Sequence, residues 1–471
     1  MSNILSMWAM SFMVFIGLGT FSSHPFVFEM PLVATSLSIL TFSVISCIVF
    51  SVLLFSVLYM GPMSSYFYKI LFFFIVSMVV VVFSPSILTM YLGWEGLGFS
   101  SFSLIAWYNN SGSISNAMLT LFLNRVGDAI LMLSIGMCVL VSDPLFLGGW
   151  SWLLAFPVLA KSACWPFSPW LPAAMSAPTP VSALVHSSTL VAAGVYLLLM
   201  FPVDCPTFLP SLSLFTIYLS SFCALVEMDF KRVVALSTMS QISMMVYAAS
   251  SDMIYLAFFH LLTHAVTKAC LFVSVGHYLM QGPQDVRSIS MSSPMFCAIM
   301  VATCLSLVGF PFMSCFYSKD PMGLFIPLLL TSAYAVRLLL YSHSYTVNLL
   351  PIFSGRGLLL WVYVLCFLGY FLSVGADVVY ALLPPVFLVL LGVLLGWSQL
   401  RSSCLASLGY LSFLPSLVSS NHISVSFLGL VESVQEYSVW YVSNLSSLFV
   451  GSLKSVRVGV TSTMLPLYSI I

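Results

Sequence analysis

His260, His264 and Lys268 recur at intervals of four residues inside a long apolar run. Steps of four drift by about 40° on an α-helix, so the three side chains fall within a stripe about 80° wide and roughly 12 Å long. Two imidazoles and an amine in line could pass a proton from one to the next. The plainer reading is a polar seam that binds two helices together. A metal site on His260 and His264 is the weaker reading, because no acidic or thiol ligand stands at a matching spacing on that face.

Other ionisable residues interrupt equally apolar surroundings. Glu95 stands near the middle of its run, in Gly93-Trp94-Glu95-Gly96. Asn124 and Asp128 are four apart and share a helix face, whereas Arg125 is expected to point elsewhere. Lys161 is mid-run, where a lysine beside a carboxylate can gain and lose its proton. His186 follows Pro178-Thr179-Pro180; a lone core histidine is more often a satisfied hydrogen-bonder than a relay member. Lys319 and Asp320 close the series. A charge in the bilayer centre costs at least about 2.5–3.5 kcal/mol, so each of these groups needs a reason. By contrast, Asp229, Lys231, Arg232, Asp285 and Arg287 fall at the ends of apolar runs and read as structural anchors, with Glu227 and Lys231 spaced to pair.

The elements that must hold these groups follow from composition. Of 471 residues, 61% are hydrophobic and 6% charged, against about 25% charged in a soluble domain. Lipid is therefore the solvent for most of the chain. The expected fold class is an all-α polytopic membrane protein with about 14 transmembrane helices, each of about 20 apolar residues. The runs lie near 4–20, 32–59, 70–84, 87–107, 116–141, 148–175, 178–201, 208–226, 232–249, 253–279, 294–318, 322–345, 358–375 and 378–397. Barrel strands are excluded, since such continuous apolarity does not alternate.

Two of these spans are interrupted by proline beside a lysine. Pro166, Pro169 and Pro172 follow Lys161, and Pro311 and Pro321 flank Lys319. Proline frees backbone carbonyls, which lipid tolerates only where the break is buried in protein or lines a wet cavity. Paired broken helices point to a transport site. Three regions are expected: N-terminal helices over 1–66, a core over 67–350, and C-terminal helices over 351–471. In the last, Val431 to Val458 reads as an amphipathic lateral helix or an imperfect final span.

Thirteen basic and thirteen acidic residues cancel, so nothing favours nucleic acid as a partner. Eleven cysteines are scattered singly without a C-x-x-C pair, which leaves zinc and iron–sulfur readings unsupported. The opening MSNILSMWAMSFMVF shows no basic leader, which suits synthesis close to the destination membrane. No P-loop, dinucleotide fingerprint or haem attachment motif occurs, so this chain is expected to bind no cofactor and no metal itself.

Taken in order, several motifs resemble one family. They are Gly93-Trp94-Glu95-Gly96-Leu97-Gly98, Asn124-Arg125-Val126-Gly127-Asp128, Lys161-Ser162-Ala163, and Trp170-Leu171-Pro172-Ala173-Ala174-Met175. With them go the stretch from Ala177 to Thr189, Ser237-Thr238-Met239-Ser240-Gln241, His264-Ala265, Lys268-Ala269, and Phe316-Tyr317-Ser318-Lys319-Asp320. The set is similar to chain 5 of NADH–ubiquinone oxidoreductase, the antiporter-like subunit of respiratory complex I, over about 90 to 320.

The resemblance implies inverted five-helix repeats with one Pro-interrupted helix in each. It also implies a proton pathway through Glu95, Asp128, Lys161, His186, His260, His264, Lys268 and Lys319. NADH, FMN, iron–sulfur clusters and ubiquinone would belong to other subunits. The partners implied are the other membrane-arm subunits, above all the neighbouring antiporter-like chain, in the mitochondrial inner membrane. Cys164, Thr267 and Ser290 depart from the family pattern without touching a charge, and both ends are short for it. A cation/proton antiporter subunit and a non-translocating scaffold stand as the alternatives.

Overall fold

The computed structural model describes residues 34–61, 65–141, 151–201, 205–280, 294–310, 313–319, 322–342 and 389–394. Among these residues all regular structure is helical. Helix α1 spans Ser36–Met60, α2 Ser65–Phe83, α3 Ile87–Ile105 and α4 Ser111–Val141. A first broken segment follows, with α5 at Ala155–Lys161 and α6 at Trp170–Ala173. Helix α7 runs from Thr179 to Met200, α8 is Phe208–Val226, α9 is Phe230–Ser250 and α10 is Ile254–Leu279. Pro294–Val308 forms α11, Phe316–Lys319 the short α12, and Phe325–Ser342 α13.

Seven of these helices are long and apolar enough to cross a membrane: α1, α2, α4, α7, α8, α9 and α10. Helix α3 is 19 residues long but falls outside that set, its apolarity diluted by Glu95, Trp94 and the neighbouring glycines and serines. The expected spans at 4–20 and 358–375, most of 378–397, and the lateral segment from Val431 to Val458 lie outside the described residues. So does Asp320.

Burial orders the helices. In α7 94% of the membrane-spanning window is buried and in α9 89%, against 39% in α8. The central pair thus touches protein on nearly all sides, while α8 gives much of its surface to the surroundings. Serines and threonines in this apolar setting satisfy themselves locally. Ser77 donates to Phe74 O at 2.7 Å and Ser213 to Pro210 O at 2.7 Å, as lipid-embedded hydroxyls must. At the start of α1, Thr35 and Ser38 form a reciprocal capping box.

Small residues set the close contacts. A Cβ on Gly93 would lie 2.8 Å from Ser77 O, and one on Gly127 would lie 2.6 Å from Ala160 Cβ. Helix α3 is therefore pressed onto α2, and α4 onto α5, as small residues permit in membranes.

The run over 148–175 is broken between α5 and α6, beside Lys161 where the prolines stand. At the end of α5 the Cys164 amide donates to Leu159 O at 3.0 Å and the Ala163 amide to Ala160 O at 3.4 Å. Ala163 sits in the left-handed region at φ 54°. This is a Schellman stop, which consumes carbonyls that the broken helix would otherwise leave bare. The second break repeats it: Phe310 donates to Leu305 O at 3.1 Å and Gly309 to Ser306 O at 3.2 Å, with Gly309 at φ 85°. A side chain is strained at that angle, so Gly309→Ala is expected to destabilise the chain by about 1–2 kcal/mol. A thermal-unfolding scan in detergent would read this as a lowered midpoint.

Helix α7 carries one irregularity that the sequence does not announce. Val185–Thr189 form a π-turn, closed by the Leu190 amide onto Val185 O and by the Thr189 hydroxyl onto Leu184 O at 2.9 Å. His186 stands within it.

Candidate functional site

Glu95 on α3 faces Arg125 on α4, and the two form an ion pair. The Tyr91 hydroxyl, one turn earlier on α3, donates to Glu95 Oε1 at 2.5 Å. Arg125 also lies 3.7 Å from Asp128 Oδ2, three residues further along its own helix. The expectation that Arg125 points away from Asp128 is therefore corrected. Three helical steps of 100° bring Arg125 and Asp128 within 60° of each other, so the guanidinium reaches Asp128 on its own helix and Glu95 across to α3.

Asp128 is buried and receives Trp94 Nε1 at 2.7 Å. Its Oδ1 is 3.9 Å from Lys161 Nζ, and both side chains are at most 3% exposed. Lys161 also reaches Trp94 O at 3.5 Å and lies over the Trp94 ring, 5.1 Å from its centre. Helices α3, α4 and α5 thus place a glutamate, an arginine, an aspartate and a lysine in one contiguous group, with Trp94 as the wedge. A buried amine whose counter-ion is already shared with a guanidinium can exchange its proton without leaving an isolated charge. Gly98 lies directly against the amine: a Cβ there would meet Lys161 Nζ at 3.7 Å, an ordinary contact distance.

Lys161 is the last residue of α5, directly before the break. Across it, Trp170 donates to Ala160 O at 2.9 Å, and its ring lies 6.1 Å from that of His186. His186 is fully buried, and neither ring nitrogen has a hydrogen-bond partner among the described residues. Whichever ring nitrogen carries no proton can take one up without first breaking a hydrogen bond. The π-turn that holds it packs against both α9 and α10.

On α10, His260, His264 and Lys268 are all buried, and the two imidazole rings lie 6.1 Å apart. His260 contacts Gln241 Oε1 through Nε2 at 3.2 Å and Ser318 Oγ through Nδ1 at 2.7 Å. Lys268 donates to Ser237 Oγ on α9. Lys319 on α12 reaches back across the second break to donate to Leu307 O, a carbonyl of the last turn of α11. A cation there also meets the negative end of that helix.

Three residues of this surface carry no weight in the sequence reading above. Arg125 bridges the two carboxylates, and its i, i+3 spacing to Asp128 was the available signal. Tyr91 stands at i, i+4 from Glu95. Lys231, read as an anchor at a span end, is buried and donates to Ala177 O at 3.3 Å just ahead of α7.

The family model of the NADH:quinone oxidoreductase/Mrp antiporter membrane segment matches residues 84–342, which hold every residue of the two groups. The NADH-ubiquinone oxidoreductase chain 5 of Locusta migratoria is 35% identical over 434 residues, covering 82% of this chain and 74% of the relative. The chain belongs to this family. Chain 5 of Mytilus edulis is 43% identical over 281 residues, covering 54% of this chain and 48% of the mussel protein. That of Anopheles quadrimaculatus is 39% identical over 306 residues, covering 60% and 53%. The chain thus spans about half the length of the mussel and mosquito relatives it matches.

Solved structures share the family fold at lower identity. The Mrp complex from Dietzia sp. DQ12-45-1b superposes with a TM-score of 0.69 at 21% identity, over 92% of this chain and 56% of that one. The membrane-bound sulfane sulfur reductase, an archaeal respiratory membrane complex, gives 0.65 at 17%, over 76% and 82%. The antiporter-like membrane fold of the family is thereby that of this chain.

Proposed function

We propose that this chain is the membrane-arm subunit of respiratory complex I through which protons cross the mitochondrial inner membrane, driven by NADH oxidation and ubiquinone reduction in other subunits. The observation that carries the reading is the buried Asp128–Lys161 pair at the end of a broken helix, tied through Arg125 to Glu95. Lys161 takes a proton while Asp128 is free to balance it, and gives the proton up when Asp128 turns to Arg125. Glu95 sets the balance from the far side of Arg125. His186 and the row of His260, His264 and Lys268 receive the proton, and Lys319 ends the path at the second break. NADH, FMN, the iron–sulfur clusters and ubiquinone belong to the redox subunits.

The neighbouring antiporter-like chain is the partner this reading requires. The side chains of Glu95 and Arg125 are 25% and 41% exposed in the isolated chain. An ion pair facing lipid at that depth is costly, so a second protein surface is expected to cover it. The regions 1–66, 67–350 and 351–471 are taken as flanking helices, translocating core and C-terminal helices.

Native-gel separation of solubilised membranes, probed for this chain and stained for NADH dehydrogenase activity, tests the assignment. Co-migration with activity in a large assembly is the expected result. The fold shared with the Mrp complex favours one second reading, a subunit of a multisubunit cation/proton antiporter. Migration in a separate, NADH-inactive assembly with sodium-dependent proton exchange would establish that reading instead.

A further inference from the structure

His260 is held between two neutral side chains that can each reverse the sense of their hydrogen bond. Its Nδ1 lies 2.7 Å from Ser318 Oγ and its Nε2 lies 3.2 Å from Gln241 Oε1. Ser318 Oγ also lies 3.0 Å from Cys315 O, in the turn that enters α12. All three side chains are buried.

A serine hydroxyl has one proton to give. Ser318 therefore donates either to His260 Nδ1 or to Cys315 O, never to both. When it donates to Nδ1, the neutral ring carries its proton on Nε2 and donates it to Gln241 Oε1. When it donates to Cys315 O, Nδ1 must carry a proton and donate it to Ser318 Oγ. For a neutral ring, Nε2 must then accept, which the Gln241 amide provides by turning its NH₂ toward the ring. The Gln241 amide also interacts with the buried Tyr334 of α13, whose hydroxyl can donate as well as accept and so can follow the amide when it turns.

From this geometry we propose that Ser318 and Gln241 form a hydrogen-bond switch that decides which nitrogen of His260 holds the proton. The proposal rests on the proton-translocating reading above and adds two residues to it. One passage runs as follows. The ring, protonated on Nε2, accepts a proton at Nδ1 while the Ser318 hydroxyl swings to Cys315 O. The imidazolium then loses the Nε2 proton, and Gln241 turns to donate to the bare nitrogen. One N–H bond forms and one breaks, and the charge is restored. The ammonium of Lys319, the next residue of α12, is the proton donor on that side. The acceptor on the other side is the neutral ring of His264, 6.1 Å away on α10, with Lys268 one turn beyond it and bonded to Ser237 of α9. The titratable groups facing the ring are His264 on its own helix and Lys319 on α12; Lys268 acts on His264, and Tyr334 of α13 meets Gln241. Cys304 and Cys315 act on Lys268, and α9 presents the neutral Gln241.

The test is made in membranes holding the native assembly, with Ser318→Ala, Ser318→Thr and Lys161→Met compared for NADH-driven proton uptake across the neutral pH range. Loss of the hydroxyl is expected to lower coupled proton transfer at least about tenfold and to displace its pH profile. Ser318→Thr, which keeps the hydroxyl, is expected to restore both. A Ser318→Ala rate and profile equal to wild type, while Lys161→Met is inactive, would overturn the switch alone. If Lys161→Met also pumps normally, the translocating reading fails with it. Should Ser318→Ala not assemble, Ser318→Thr is set against Ser318→Cys, whose thiol is a poor donor: displaced profiles support the switch, and identical ones overturn it.

Discussion

Lys161→Met is expected to lower proton translocation by about 100-fold or more in an assembled complex, the scale on which a positioned proton-transfer group contributes. The substitution removes the amine 3.9 Å from Asp128 and leaves that buried carboxylate with Trp94 and with Arg125 at 3.7 Å, a guanidinium it shares with Glu95. Breaking a buried pair from one side costs about 3–5 kcal/mol, so some loss of assembly accompanies the loss of transfer. Lys161→Arg separates the two effects. A guanidinium keeps the ion pair but does not give up its proton at any physiological pH. Normal assembly with no proton uptake is the expected outcome for Lys161→Arg, measured by native gel and by pH-sensitive dye in sealed vesicles. If Lys161→Arg translocates normally, Lys161 only pairs helices, and the scaffold reading gains.

Arg337→Leu is expected to have the largest effect on accumulation of the chain. Arg337, buried on α13, donates to Ala224 O at 3.1 Å, to Leu225 O, and to Glu227 O at 2.5 Å. These carbonyls end α8, where the helix itself offers no donor. One guanidinium fork satisfies these three carbonyls. Removing it bares several acceptors inside the membrane, at about 1–3 kcal/mol for each that finds no other donor. The amount of assembled complex on a native gel is the readout. Arg337→Lys, a single point donor, is expected to recover only part of it.

The sequence makes the charged skeleton of this site legible because charges are so scarce: Glu95, Asp128, Lys161 and Lys319 stand out against their surroundings. Helical arithmetic also places His260 and His264 side by side, and the rings meet at 6.1 Å. The same arithmetic, applied from Arg125 to Asp128 rather than to Asn124, leaves the two 60° apart, so their contact is legible and the expectation that Arg125 points elsewhere measures it from the wrong neighbour. Composition locates the first break through its prolines but not its form. The stop falls on Ala163, ahead of Pro166, and is set by backbone hydrogen bonds and a left-handed alanine where a glycine would be the usual signal. Lys231 shows the limit of reading depth from position: it begins a helix, yet Ala177 and the chain ahead of α7 fold over it.

The π-turn at Val185–Thr189 has a consequence for tolerance to length change. A π-turn holds one residue more than the α-helical turn it replaces. Deleting a single residue among these five would let the turn close as an ordinary α-helical turn, with the two halves of α7 keeping nearly the same faces toward their neighbours. The same deletion on either side of the turn would rotate one half by about 100° against the other. Thr179 to Leu184 and Leu190 to Met200 are both buried almost throughout, so neither half can turn without unseating its neighbours. A change of length in α7 is therefore absorbed best within the turn, where the residue displaced is His186 or one beside it.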